Sequence, residues 1–306
     1  MRLTDRMTPM TVRLGAYLLP GDPVWLRSSL ARYYDVLDDL VVLVPSHATG
    51  WTGRPIPVDE CLDIIGEADV RGIARYVQGT WEDRAQPMRA ETAQRQAGLD
   101  ALTGCVDWVL QVDNDEVLPE PAALLSALDT VSADVVGIEW PMRVLYRHLS
   151  ACTFAAVCSQ EGQPVVEYPG SILVRPHARL VDARRPGQGI ITRYVVMGDD
   201  RSLQIRQEPD SRELRIEVVR LDQIILHNSW GRSPRQILQK TRSWGHASGA
   251  KGLMYFVTRW WSARWTWRWQ RNFHPFADGL WPRLQPLTID SDLLDPFDRP
   301  DVGRHG

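Results

Sequence analysis

The chain has 306 residues, 44% of them hydrophobic and 24% charged, with a formal net charge of -3. That length suits one large domain or a domain with an extension, and the composition is that of an ordinary folded protein. The charge argues against a general nucleic-acid binder, and neither a signal peptide in MRLTDRMTPM nor an apolar run of membrane-spanning length is visible, so the cytoplasm is the expected place.

Thr11 to Leu19 reads as a first strand. Asp22 is then placed to cap a helix with Pro23 at its first position, and Val24, Trp25, Leu26, Leu30, Tyr33 and Tyr34 follow at roughly helical spacing. Leu40 to Val44 is a second strand, apolar enough to be covered on both faces. A short helix is expected over Asp59–Glu67, a third strand over Ala74–Val77 and a helix over Met88–Leu102. The fourth strand, from Val106, runs into Asp113, Asn114, Asp115 and Glu116 before Pro119. Four strand–helix alternations point to an open parallel α/β sheet, in which ligands sit beyond the carboxyl ends of the strands. Pro119 and Pro121 open a helix through Leu128, and Asp134–Trp140 forms a further strand closed by Pro141. The segment 151–220 reads as mixed or antiparallel, with β-prone pieces at Thr153–Val157, Ser171–Val174, Ile190–Val196 and Arg215–Val219. Leu221–Leu226 leads to His227. Ser233, Pro234 and Gln236 then form a capping box for a helix running to Trp244 and His246. The cysteines, Cys61, Cys105, Cys152 and Cys158, make no C-x-x-C pattern and are expected reduced.

The acidic block is the chemical focus. Carboxylates packed this closely repel one another, and a hard divalent cation relieves that cost, since Mg²⁺ and Mn²⁺ prefer carboxylate oxygen beside phosphate and water. A solvated acidic turn is the simpler alternative.

Three patterns carry a family resemblance: Glu91-Thr92-Ala93-Gln94-Arg95 with Gly98-Leu99, then WVLQVDNDEVLP from Trp108, then His227 and Trp230 followed by Lys240, Trp244 and His246. Together they resemble an inverting nucleotide-sugar glycosyltransferase of the GT-A fold, related to family 2. The resemblance implies a Rossmann-like, mostly parallel central sheet flanked by helices, with a C-terminal helical extension. It implies a catalytic domain over 1–250, with a nucleotide-binding half near 11–120 and an acceptor half near 121–250, and an extension over 251–306. Mn²⁺ or Mg²⁺ would be held by Asp113, Asp115 and His227. The nucleoside-diphosphate sugar would meet Pro20, Asp22, Arg95, Asp113, Asn114 and Lys240, and the acceptor is unidentified. An inverting transfer needs a general base. No E-D or H-E pair stands at the family's usual place, so the candidates are Glu139 and the pair Asp199-Asp200, with Glu139 and Asp200 assigned the catalytic role.

Thirteen tryptophans are present, six of them between Trp260 and Trp281. Leu253–Trp269 reads as a helix apolar over more than half its circumference. Packing on the catalytic domain, homodimer contact, peripheral membrane contact and acceptor binding all suit tryptophan interleaved with arginine. Residues 284–306 read as an irregular, frayed tail. Two other readings compete. Asp113-Asn114-Asp115 resembles the strand end of a haloacid-dehalogenase-type Mg²⁺ phosphatase, with Asp113 as nucleophile and Asp115 as acid. A GT-A-like domain that only binds a partner is the non-enzymatic one.

Overall fold

The computed structural model describes residues 12–206, 208–243 and 250–298. The opening unit alternates as expected: β1 (Leu14–Leu18), α1 (Leu26–Tyr33), β2 (Asp39–Pro45), α2 (Val58–Ala68), β3 (Ala74–Gly79), α3 (Pro87–Leu102) and β4 (Trp108–Leu110). The apolar run of β2 is buried from Leu40 to Leu43, as a parallel strand covered on both faces requires. Then come β5 (Glu116–Val117), α4 (Pro121–Ser126), β6 (Val135–Glu139), β7 (Met142–Ser150), β8 (Thr153–Cys158), β9 (Ser171–Val174), β10 (Leu180–Asp182), β11 (Arg185–Pro186), β12 (Ile190–Val196), α5 (Leu203–Arg206), β13 (Glu213–Val219) and β14 (Ile225–His227). The last elements are α6 (Pro234–Ser243), α7 (Ala250–Tyr255), a π-helical segment (Phe256–Trp261), α8 (Ala263–Thr266) and β15 (Arg283–Thr288).

The main sheet has eight strands in the order β13-β12-β6-β9-β4-β1-β2-β3. All run parallel except β9, which is antiparallel to β4 and to β6. The chain leaves β1 toward β2 on one side and returns to β4 on the other. The strand order therefore reverses between β1 and β4, and the crevice beyond their carboxyl ends is the natural ligand position of such a sheet. A second sheet has the order β15-β8-β7-β14-β5, with β5 antiparallel to β14 so that Glu116 lies opposite His227.

Several local expectations change. Asp22 does not cap α1. Its carboxylate accepts from Val24 N, and the helix begins only at Leu26, after Trp25 turns through a left-handed φ of 66°. The clasp on this turn comes from far along the chain: Asp298 accepts from Trp25 N at 3.2 Å and from Ser28 N at 2.9 Å and Oγ at 2.6 Å. β6 ends ahead of Pro141 as read, and β7 follows at once from Met142. The stretch 284–306 is not all irregular, since β15 pairs along the whole of β8. The Ser233 capping box forms as read, Ser233 N donating to Gln236 Oε1 and Gln236 N to Ser233 Oγ. Trp244 and His246, expected at the end of that helix, lie outside the described residues. The four cysteines are unpaired.

The tryptophan-rich stretch is helical, and its π-helical segment widens the middle turn. Its inward residues Tyr255, Trp260, Ala263 and Trp267 join Tyr146, Trp230, Phe273 and Trp281 in one core cluster. Trp260 is fully buried, donates Nε1 to Trp230 O at 2.9 Å, and carries the Arg147 guanidinium over its ring at 4.4 Å. Trp265 and Trp269 stay exposed. Among the described residues no helix is long and apolar enough to cross a membrane. Trp260→Ala is expected to cost about 3–5 kcal/mol, the usual penalty for an emptied aromatic site, read as a lowered urea midpoint. A change under about 1 kcal/mol, in the range of ordinary surface substitutions, would mean that the stretch is not part of the core.

Candidate functional site

The turn after β4 is built to present acids. Glu116 N donates to Asp113 O at 3.0 Å, and Asp113 N donates to Glu116 Oε2 at 2.9 Å, so the turn closes on itself. Asn114 Nδ2 reaches across the crevice to Leu19 O and Asp22 O at 3.1 and 2.7 Å, tying this turn to the loop after β1. Pro20 is buried inside that loop. Gln111, fully buried behind the turn, accepts from Tyr17 Oη at 2.7 Å and donates to Ser171 O at 2.9 Å.

The chain itself supplies the countercharge. Arg95 of α3 donates to both oxygens of Asp113, at 3.0 and 3.2 Å, and also pairs with Glu91. Arg184, from the β10–β11 hairpin, bridges Asp113 at 2.5 Å and Glu116 at 2.7 Å. Arg232 bridges Asp22 and Asp115. Lys240 Nζ and His227 Nε2 each lie 3.8 Å from Asp115. Lys240 is steadied by Ser229 O and Oγ at 2.9 and 3.0 Å. The guanidinium side chains of Arg95, Arg184 and Arg232 are nearly inaccessible to solvent.

The pKa directions follow from this wiring. Burial alone would raise the Asp115 carboxyl, but Arg232, His227 and Lys240 together hold it well below the usual range. Asp113 is likewise raised by burial and pulled lower overall by Arg184 and Arg95. Burial wins at Glu116, whose carboxyl is pushed up despite Arg184. Burial, then the neighbouring Arg232, drops the Lys240 ammonium to about 8.

The structure thus gathers Asp22, Arg95, Asp113, Asn114, Asp115, His227 and Lys240 around one crevice. It leaves both candidate bases elsewhere. Glu139 is buried and receives Arg193 Nε at 2.6 Å from the neighbouring strand, so its charge is already matched. Asp200 is 87% exposed beside Arg201, and Asp199 closes the turn there by accepting from Arg201 N and Ser202 N. Neither meets the acidic turn. Arg184 and Arg232 were not foreseen. Arg184 sits in a run of arginines that nothing in the sequence ranks, and Arg232 lies between the His227 pattern and the capping box without a motif of its own.

A divalent cation needs converging neutral or anionic donors. Asp113 and Asp115 instead face guanidinium groups, and no trio of His, Cys, Asp and Glu gathers as a cage among the described residues. The set expected for Mn²⁺ or Mg²⁺ does not fit such an ion as arranged. Of the buried polar side-chain atoms that lack partners among the described residues, those at the crevice include Arg95 Nη1, Arg184 Nη1 and His227 Nδ1. Buried polar groups in native proteins are normally satisfied, so this is where a polar ligand would complete the structure.

No family model matches the chain. No curated protein matches it either. Solved structures to which it is similar include 4-diphosphocytidyl-2C-methyl-D-erythritol synthase from Anaerococcus prevotii DSM 20548, at 12% identity and TM-score 0.32 over 70% of this chain and 89% of that one. A second structure of a 4-diphosphocytidyl-2C-methyl-D-erythritol synthase aligns at 15% identity and TM-score 0.32 over 55% and 75%. A mannose-1-phosphate geranyltransferase from Thermus thermophilus aligns at 11% identity and TM-score 0.26 over 55% and 51%. Likenesses this slight carry no argument about activity.

Arg232→Met strands Asp22 and Asp115 without their shared cation. A loss of about 3–5 kcal/mol at pH 7 is expected, as for other broken buried pairs, measured by urea denaturation. The sign of its pH dependence is fixed by Asp115. A carboxyl depressed in the folded state contributes stability above its unfolded pKa and loses it as pH falls through the folded value. The gap between wild type and variant should therefore narrow below pH 4, near the ordinary aspartate pKa of about 3.9.

Proposed function

We propose that the protein is a GT-A-type glycosyltransferase that takes its sugar from a nucleoside diphosphate. One observation carries the reading: a nest of paired carboxylates and buried cations at the point where the order of the parallel sheet reverses. Ligands of open α/β sheets bind at that point, and the loops after β1 and β4 are already joined there by Asn114.

Each side of the crevice has its own chemistry. Asp113 keeps 30% of its side chain exposed between two guanidiniums and suits the hydroxyls of a ribose. On the other side, Arg232, Lys240 and His227 crowd one carboxylate, Asp115, and offer positive charge to a diphosphate. Charge developing on the leaving diphosphate as the glycosidic bond breaks would be stabilised by these fixed cations, which need no reorganisation to act. Asp115 holds Arg232 and Lys240 in place for that task. The phosphatase alternative needs Asp113 as an unhindered nucleophile, whereas both its oxygens are engaged by Arg95 and Arg184.

Thermal-shift screening against uridine, guanosine, cytidine and thymidine diphosphates tests the donor class. Saturation at about 100 Kd should add roughly 2.7 kcal/mol to the stability of the folded state. No response to any nucleoside diphosphate or its sugar would remove the reading. Asp115→Ala should abolish turnover while the protein still folds, shown by unchanged far-ultraviolet circular dichroism. The lowered Lys240 value fixes a pH trend as well. Nucleoside-diphosphate affinity should weaken several-fold as pH rises from 7 to 9, because the neutral amine no longer attracts phosphate. Calorimetry on Lys240→Gln should show that trend flattened.

A further inference from the structure

Behind His227 lies a carboxylate that the donor crevice does not use. Glu167 forms a bridge with β7, its N donating to Met142 O at 2.8 Å and its O accepting from Met142 N at 2.9 Å. Met142 pairs with Ile225 of β14, the strand that ends at His227. Through Met142 the Glu167 backbone thus sits one strand across from β14. Its carboxylate accepts from Trp281 Nε1 at 2.5 Å, and no Arg or Lys among the described residues forms an ion pair with it. That separates it from Glu91, Glu116 and Glu139, each neutralised by an arginine. Its other flank opens on a cavity of about 230 Å³ whose wall includes Ser159, Glu161, Arg201, Gln204 and Leu280. Hydroxyl, amide and charged groups facing an apolar wall suit a polyhydroxylated molecule, whose rings present both kinds of surface.

We infer that this cavity receives a sugar-class acceptor and that Glu167 takes the proton of its attacking hydroxyl. The inference rests on the donor reading above. In the step, the acceptor oxygen forms a bond to the anomeric carbon as the bond from that carbon to the diphosphate oxygen breaks. The bonding electrons leave on the nucleoside diphosphate, and the hydroxyl proton passes to a Glu167 carboxylate oxygen. An unpaired carboxylate is a better base than one already held by a guanidinium. Burial also raises the Glu167 carboxyl, which strengthens it as a proton acceptor. The assignment gives the tryptophan-rich region a second task, because Leu280 lines the cavity and Trp281 positions the base.

The test uses the full chain with uridine-, guanosine-, cytidine- and thymidine-diphosphate sugars, water as the default acceptor and free monosaccharides as acceptor probes. Glu167→Gln keeps an oxygen for Trp281 and so preserves the local bond. It should lower donor cleavage by about 10²–10⁴-fold, the usual worth of a general base, while nucleoside-diphosphate affinity stays within about twofold. Sodium azide needs no proton removed, so with Glu167→Ala it should restore cleavage and yield a glycosyl azide. Wild-type rates in Glu167→Gln, or no rescue of Glu167→Ala, would overturn the role of Glu167. At least one monosaccharide should raise wild-type turnover, and Gln204→Trp, which fills the cavity, should abolish that rise while nucleoside-diphosphate binding persists. No rise, or a rise that survives Gln204→Trp, would overturn the cavity assignment. If the wild type neither binds nor cleaves any donor, the donor reading itself fails and this inference falls with it. An active wild type with an equally active Glu167→Gln instead isolates the failure to Glu167.

Discussion

The structure depends on neutralising a turn that should not be stable alone. Asp113, Asp115 and Glu116 leave the end of β4 within four residues, the last two of them buried. Desolvated like charges at this spacing are costly, and each needs an opposite charge held at hydrogen-bond distance. Arg95 arrives from the helix before the strand, Arg184 from a hairpin, and Arg232 from the segment after β14. Three distant parts of the chain are thereby committed to one point. Fixed charge of this kind is costly to bury and useful once buried, because its field is already oriented when a ligand arrives.

Much of the first half of the fold was legible from residue pattern. β2, α2, β3 and α3 appear within a residue or two of their expected limits, because apolar runs with clean breakers mark buried parallel strands and their covering helices. Ser171–Val174 and Ile190–Val196 match to the residue. What failed shares a cause. β7 carries Arg143, Arg147 and His148, so its pattern does not alternate, and its burial comes from partners in β8 and β14. β5 has only two residues, and β15 holds a proline; both exist through pairing rather than propensity.

The site was legible on one side only. A cluster of acids at a strand end is visible in sequence, whereas its arginines are ordinary surface-type residues until topology delivers them. The pairing of Glu139 was hidden for a related reason. Its position on a strand was read correctly, yet β12 places Arg193 directly opposite it. Cross-strand register decides whether a carboxylate is a reagent or half of an ion pair, and register is invisible in a single strand.

Asp298 fastens the backbone of Trp25 and Ser28, and the neighbouring Ser29 lies behind Asp113. During synthesis the floor of the crevice therefore stays unlatched long after its acids and arginines have been made. A ribosome must add residues 283–298 before the second sheet gains its outer strand and α1 gains its clasp. Assembly of the pocket thus waits for β15 and Asp298, which delays ligand capture until nearly the whole of the described fold is available to enclose it.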